Sequence, residues 1–250
     1  MEVSHGPFLV DHNIFASNAA LESWSQGGAY VHNLVCGTVW LNPVPERPTP
    51  YHTPHSTHVA GYAAIHGGDD RHIGNIFLGG DAARAYAPTA RVGSNASYGT
   101  ARYNGHPASM EDFLALVADP TRGDHERFSD VKQPVYIRDN VYFGEAESFE
   151  AEERAIVLHD EQVSVHVVDE GDEVYLETQL PDALGNAASG VISGADLPPV
   201  RFVDADFEAP DGAPAALDTD LVGERKIPGR TYPAGPISAL GSGSQRIQVW

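Results

Sequence analysis

The chain has 250 residues, and 42% of them are hydrophobic, which is enough to bury a substantial core and argues against a disordered protein. Its 35 acidic and 15 basic residues give a net charge of −20, which argues against a nucleic-acid partner because a phosphate backbone would repel the chain. No run of about 18 apolar residues occurs, so no membrane-spanning helix is predicted. We expect one large domain or two modest ones.

Two features of the composition bear on the cellular setting. No basic segment followed by an apolar run resembles a secretory signal, which favours a cytoplasmic protein unless a segment upstream carries an export signal. Many acids with only two lysines, Lys132 and Lys226, are typical of salt-in halophiles, whose acidic surfaces keep proteins soluble at high salt. An ordinary acidic protein is the alternative. Cys36 is the single cysteine, so neither a disulfide nor a cysteine metal site is expected.

Strands dominate the predicted secondary structure. The 25 glycines and 18 prolines are spread along the chain and favour short strands joined by turns. Residues 155–168 and 173–180 alternate well enough to predict a hairpin. All predicted strands, chosen for their β-branched, aromatic or alternating apolar residues, are 7–17, 29–40, 58–66, 71–79, 134–143, 155–168, 173–180 and 245–250. The sequence therefore predicts an all-β protein.

Three segments depart from the strand pattern. Residues 42–57 are dense in Pro and His and are predicted as a long loop, of the kind that covers or forms a functional site. Residues 80–107 also resemble a loop. Ser109–Ala118 is the best candidate for a helix, because Ser109 can cap it, acids occupy its first turn and its apolar residues follow helical spacing.

A repeated motif suggests the architecture. An Asn followed by two apolar residues recurs at strand positions Asn13, Asn33, Asn75 and Asn140. Stacked coil turns place equivalent residues above one another, where each Asn amide can bond to the next. The pattern favours turns of a parallel β-helix with long insertions over residues 1–146, including a loop and helix insertion at about 80–130, followed by a β-sandwich-like region over 147–250. An antiparallel sandwich whose strands contain Asn is the alternative.

Three histidines crowd the Pro-rich segment, at His52, His55 and His58. On a strand only His52 and His58 would share a face, whereas a folded loop could gather all three. No carboxylate stands beside them in the sequence, so we predict no metal site here. Histidines in such loops more often form hydrogen bonds with a substrate or with the backbone.

Asp70 and Arg71 follow a Gly–Gly pair at which a turn is expected. They are candidates for substrate contact, and the two adjacent acids are candidates for a calcium site. The alternative is a structural turn, in which one acid accepts backbone amides and Arg71 pairs with the other acid.

Several ordered segments resemble a known enzyme family. HGPFLVDHNIF, QGGAYVHNLVCG, TPYHTPHSTHVAG, GGDDRHIGNIFLGG and PVYIRDNVYFGEA are similar, in this order, to segments of β-xylosidases of glycoside hydrolase family 120. FEAPDGAPAALDTDLVGERKIPGR, YPAGPI and IQVW extend the resemblance over nearly the whole chain. It implies a right-handed parallel β-helix associated with a β-sandwich domain. The implied activity is retaining, exo-acting removal of xylose from short xylo-oligosaccharides.

The resemblance also implies the catalytic residues. The family uses an Asp nucleophile and a Glu acid/base, and the Glu lies in an acid-Val-Asn-His-Gly-Pro context that matches Glu2–Pro7 except at Ser4. Glu2 is therefore the implied acid/base, whereas the nucleophile lies about one coil turn upstream, outside this chain. We accordingly expect the chain to be the C-terminal part of a longer protein. The weaker candidates, predicted at the rim of the sugar pocket, are His5, His52, His55, Asp70 and Arg71.

Two other functions stay open from the sequence alone. One is another β-helix carbohydrate enzyme of the polysaccharide lyase type, which would need calcium or a basic residue to stabilise an enolate. The other is a non-catalytic module for carbohydrate binding or assembly. In each case the expected partner is a small oligosaccharide, with a homo-oligomer possible. No cofactor is expected, calcium being the one candidate.

Overall fold

A computed structural model describes residues 1–121, 123 and 132–250 of the chain, and strands dominate it. One α-helix, α1, spans Met110–Ala118. The strands are β1 Phe8–Asp11, β2 Ile14–Ser23, β3 Gly28–Val31, β4 Leu34–Leu41, β5 Val44–His52, β6 Val59–Ile65, β7 Arg71–Ile73, β8 Ile76–Gly79, β9 Ala96–Ser97, β10 Tyr136–Arg138, β11 Val141–Gly144, β12 Ile156–Leu158, β13 Ser164–Asp169, β14 Val174–Leu180, β15 Ala188–Ser189, β16 Tyr232–Pro233 and β17 Gly243–Gln248. The predicted predominance of β structure is confirmed.

Two parallel sheets are built from strands between Phe8 and Leu158. The first has the strand order β1-β3-β7-β10, and the second contains β2, β4, β8, β11 and β12 in parallel register. Each strand of the first sheet is followed, after a two-residue bend, by a strand of the second sheet. Successive bends therefore stack on one another, and long segments of the chain extend outward between them.

The first residue of each bend adopts a left-handed conformation. This conformation costs little for Gly, and His or Asp tolerates it better than a β-branched residue does. The four bend residues, with their φ angles, are His12 at 52°, His32 at 54°, Gly74 at 64° and Asp139 at 61°. The second residue of each bend is the repeated Asn, so the two-residue motif turns the chain from one sheet into the other.

The repeated asparagines form a hydrogen-bonded ladder, as predicted. The side-chain amide of Asn13 donates to the Oδ1 atom of Asn33 over 3.2 Å, that of Asn33 to Asn75 over 3.0 Å, and that of Asn75 to Asn140 over 2.9 Å. Asn140 in turn donates to Glu152 Oε1 over 2.8 Å, so a carboxylate ends the ladder. The ladder thereby satisfies the buried amide groups of Asn33 and Asn75, whereas both ring nitrogens of the buried bend residue His32 lack a partner among the described residues.

Apolar side chains stack between the turns in the same register. Leu34 lies opposite Ile76, and Ile76 lies opposite Val141, and all three are buried in the largest core cluster. On the other face of the second sheet, the rings of Phe77 and Tyr142 stack with centroids 5.3 Å apart. Burial of such side chains contributes roughly 1.5–3 kcal/mol each, so these rows stabilise the stack.

The segment predicted as a long loop is instead half of a hairpin. Residues 42–57 contain strand β5, which pairs antiparallel with β6. The prediction of a loop was wrong because its prolines lie on an exposed two-stranded ribbon, where they deprive no central strand of hydrogen bonds. The predicted strand at 58–66 is confirmed as β6, whereas the one at 71–79 is split into β7 and β8 by the bend at Gly74.

The C-terminal half adds antiparallel structure. The predicted hairpin is confirmed between β13 and β14, and β17 completes a three-stranded sheet with them. The start of the predicted strand at 155–168 behaves differently, since β12 joins the parallel stack beside β11.

The predicted helix is confirmed, and Ser109 accepts a hydrogen bond from the Asp112 amide at the N-terminus of the helix. No helix in the described segments is long and apolar enough to span a membrane.

Candidate functional site

A groove of about 470 Å³ lies where three separate parts of the chain meet. One wall is the N-terminal segment Ser4–Pro7, and a second is residues 50–56 at the turn of the β5–β6 hairpin. Residues Val203–Ala205, Asp206 and Glu208 form the third wall. The volume lies within the range of about 300–1,000 Å³ that is typical of small-molecule sites.

His5 fixes the N-terminal wall of the groove. Its Nε2 atom donates to the Thr49 carbonyl oxygen over 3.1 Å, and its Nδ1 atom accepts from the Gln26 side chain over 2.8 Å. The ring also packs edge-on against Tyr51 and Phe202. Burial lowers the pKa of His5 below its ordinary value, which favours the neutral ring. With both nitrogens engaged, His5 positions the segment and holds no spare donor for a ligand.

The close approach of the N-terminal wall to Gly27 requires a glycine at position 6. Gly6 has a φ of 72°, and a Cβ atom there would lie 2.1 Å from the Gly27 carbonyl oxygen. The amide of Gln26 also donates to the Ser4 carbonyl oxygen over 3.0 Å. The sequence around Gly6 thus seats Ser4–Pro7 on the turn that precedes β3.

His52 and His55 line the groove together with His5, so three of the predicted histidines are brought together. The Nε2 atom of His55 lies 2.6 Å from the Glu208 carboxylate, a contact that joins the hairpin turn to the C-terminal wall. His52 Nδ1 lies 3.3 Å from the Thr57 carbonyl oxygen within the turn. Among the described residues, no group of three His, Cys, Asp or Glu side chains is arranged to hold a metal ion.

Three acids on the C-terminal wall were missed by the sequence analysis. Asp204, Asp206 and Glu208 are exposed and alternate with buried Ala205 and Phe207. Period-two alternation places Asp206 and Glu208 on one face of the segment that follows the turn at Asp204, whose φ is 49°, and all three acids line the groove. That alternation was the available signal, but nothing local indicated that this segment lies beside residues 50–56.

Asp70 lies in the interior and not at the groove. It is completely buried, and its carboxylate accepts hydrogen bonds from the Gly28 amide over 3.0 Å and the Tyr103 hydroxyl over 2.9 Å. Burial raises the pKa of Asp70 to about 7 in spite of these donors. The structural alternative therefore describes Asp70: it caps the backbone where β3 begins.

Arg71 is also completely buried and does not line the groove. Its guanidinium lies 2.8 Å from Asp69 Oδ1, and it donates to the carbonyl oxygens of Pro198 over 2.9 Å and Pro199 over 2.7 Å. The Gly–Gly turn directs the following residues inward, which the sequence pattern did not reveal. Arg71 thus ties β7 of the first parallel sheet to the segment that leads into the C-terminal wall of the groove.

Glu2 lies on the exposed segment that leads into the groove, two residues before the lining residue Ser4. Its neighbour Met1 is held on strand β2, since the Met1 amino group donates to the Glu22 carbonyl oxygen and the Trp24 amide donates to the Met1 carbonyl oxygen. Within the part of the chain that the structure describes, the Glu2 carboxylate has no hydrogen-bond partner. The carboxylate is therefore exposed and unpaired among the described residues.

Comparison with known proteins gives one strong likeness. No protein-family model matches the chain, and no curated protein does. A solved structure of XylC in complex with xylose matches 100% of this chain with 43% sequence identity and a TM-score of 0.89. This chain resembles part of XylC. It spans 37% of the XylC chain, so the likeness concerns one portion of that larger protein.

Proposed function

We propose that this chain is part of a retaining, exo-acting β-xylosidase-like glycoside hydrolase that removes xylose from short xylo-oligosaccharides. The observation that carries the proposal is the 43% identity over the full chain to XylC, whose structure was solved with xylose. The groove supports it, because carboxylates, histidines and the Tyr51 ring suit hydrogen bonding and stacking with a sugar. The fold we propose is the end of a right-handed parallel β-helix, followed by a C-terminal β region over residues 147–250.

The proposed reaction needs two carboxyl groups about 5–5.5 Å apart. One attacks the anomeric carbon while the other gives a proton to the departing glycosidic oxygen. The second then takes a proton from water, whose oxygen displaces the enzyme carboxylate and releases xylose. We assign the proton-transfer role to Glu2 and place the nucleophilic Asp in the portion of the enzyme outside this chain. A 250-residue chain alone is then expected to have little or no activity.

The residues of this chain have distinct proposed roles. His5 holds the segment that carries Glu2, and His52 and His55 shape the opposite wall of the groove. Tyr51 offers an aromatic face at the base. Asp70 and Arg71 act indirectly. Asp70 fixes the start of β3, and Arg71 fixes the segment that leads into the C-terminal wall.

The test is an aryl β-xyloside assay on a form of the protein extended upstream of Met1. Glu2→Gln is expected to lower turnover by about 10²–10⁴-fold for poor leaving groups and far less for good ones, since only the former need protonation. Sodium azide should restore turnover of the variant and yield a β-xylosyl azide. Glu46→Gln, an exposed carboxylate outside the groove, is the matched control. A mild effect of Glu2→Gln on all substrates would remove Glu2 from this role.

A further inference from the structure

The β5–β6 hairpin turn and the C-terminal wall are joined across the groove by one side-chain contact. His55 Nε2 and Glu208 Oε2 lie 2.6 Å apart although 153 residues separate them in the chain. Within the described residues, no other hydrogen bond links residues 53–56 to residues 203–208. The other hydrogen bonds of the turn are internal, such as Thr53 to His58. His55 and Glu208 thus form the one hydrogen bond between these two described segments, beside the packing of Tyr51 on Phe202.

Such a contact is a physical barrier. His55 and Glu208 both line the groove and meet at hydrogen-bond distance, so a bound polymer cannot pass between these two side chains. The pair can be removed by substitution, because the side chain of His55 is 67% exposed and that of Glu208 is 30% exposed. Exposed pairs of this kind contribute little to stability, so their removal is expected to leave the fold intact.

The lining of the groove suits a neutral sugar. Asp204 and Asp206 line the groove and have no side-chain hydrogen-bond partner among the described residues, so their oxygens are free to accept hydroxyl protons. Tyr51 and Pro50 provide apolar surface beside them. Three carboxylates on one wall would repel an acidic sugar, whereas they can accept hydrogen bonds from the hydroxyls of a neutral one.

We propose that His55 and Glu208 form a latch that ends this groove and limits the number of sugar units that it accepts, with Asp204 and Asp206 binding the unit beside the latch. The inference rests on the proposed function for the identity of the sugar. The proposed latch is the structural element that restricts binding to short oligosaccharides. His55 and Glu208 thereby determine substrate length and take no part in bond cleavage.

The experiment compares ligand length. Binding of xylose, xylobiose, xylotriose and xylohexaose to the 250-residue chain is measured by calorimetry. The unaltered chain should gain no affinity beyond the length that fills the groove. His55→Ala and Glu208→Ala should each bind xylohexaose about fivefold more tightly relative to xylobiose, the factor expected from one additional hydrogen bond. Glu208→Gln keeps an acceptor for His55 and should behave like the unaltered chain.

The control is Arg84→Ala, which removes an exposed ion pair with Asp81 away from the groove walls and should change nothing. Equal length profiles in all variants, or no sugar binding by the chain, would overturn the latch. Failure of the unaltered extended enzyme to cleave aryl β-xylosides would instead contradict the proposed function, and the calorimetric comparison would still decide the latch.

Discussion

The side chain of Asn33 donates to the side-chain oxygen of Asn75 over 3.0 Å although 42 residues separate the two in sequence. Asn75 Oδ1 also accepts the backbone amide of Asn33, while its own amide donates to Tyr30 and Asn140. The Asn75 side chain thus makes all four hydrogen bonds that its amide group can form, two as donor and two as acceptor. The ladder is therefore a connected network, and it depends on each internal member.

Asn75→Ala should destabilise the chain by about 2–4 kcal/mol, because it leaves buried amide and carbonyl groups of neighbouring turns without partners. Urea unfolding followed by circular dichroism measures the change. Asn18→Ala is the matched control, since Asn18 is exposed and, among the described residues, its side chain donates to Thr89 alone. A loss of less than about 1 kcal/mol at Asn75 would show that the ladder does not hold the turns together.

The ladder was predictable from sequence because its signal is local and repeated. Asn13, Asn33, Asn75 and Asn140 each precede two apolar residues, and stacking follows from that repetition. The residue before each Asn has a left-handed backbone and is His, Gly or Asp. These positions share a backbone conformation but no residue type, so the sequence pattern did not reveal the left-handed position.

The groove was only partly predictable. His52 and His55 stood out because histidines cluster in one short segment, and His5 was assigned from the family resemblance. Glu208 was missed because its partner His55 lies 153 residues away, and no local pattern encodes such a meeting. Asp70 and Arg71 were misplaced because a Gly–Gly–Asp–Asp–Arg run looks like an exposed turn, whereas burial here is decided by chain segments far away in sequence.

The position of Asp70 gives a pH prediction. Burial raises its folded-state pKa from 3.8 to about 7, so the folded chain binds more protons than the unfolded chain between these values. The contribution of this group to stability is therefore complete below about pH 4 and is lost as the pH rises through 7. Asp70→Asn removes the titration, and the unfolding free energy of the unaltered chain minus that of Asp70→Asn should fall across this range. A constant difference from pH 4 to pH 7 would contradict the burial-driven shift.

The acidic composition gives a salt prediction. The net charge of −20 creates repulsion between surface carboxylates, and dissolved ions screen it. We expect the melting temperature to rise from low salt to molar KCl, more steeply than for a control protein of similar size and near-zero charge. A melting temperature that is flat across this range would argue against adaptation to high salt.

Lys226 gives the last prediction, because it joins the C-terminal region to the bend between β1 and β2. Its buried ammonium donates to His12 Nε2 over 2.7 Å, and His12 Nδ1 donates to the Asp11 carboxylate over 2.8 Å. Burial lowers the pKa of Lys226 from 10.5 to about 8. Between these values the unfolded chain binds more protons than the folded chain, so stability from this group rises with pH.

Lys226→Met keeps much of the apolar volume and abolishes the titration. The unaltered chain should therefore gain stability relative to Lys226→Met between pH 8 and 9.5, below the range in which the buried tyrosines oppose the trend. Burial raises the pKa of Tyr30 above its ordinary value of 10.0, which places that opposing effect above pH 10. Lys132→Met, which alters an exposed lysine, should show no such difference. Parallel stability curves for the unaltered chain and Lys226→Met would contradict the lowered pKa of Lys226. They would mean that the ammonium stays charged throughout the range, so that the contact with His12 would not depend on the protonation of Lys226.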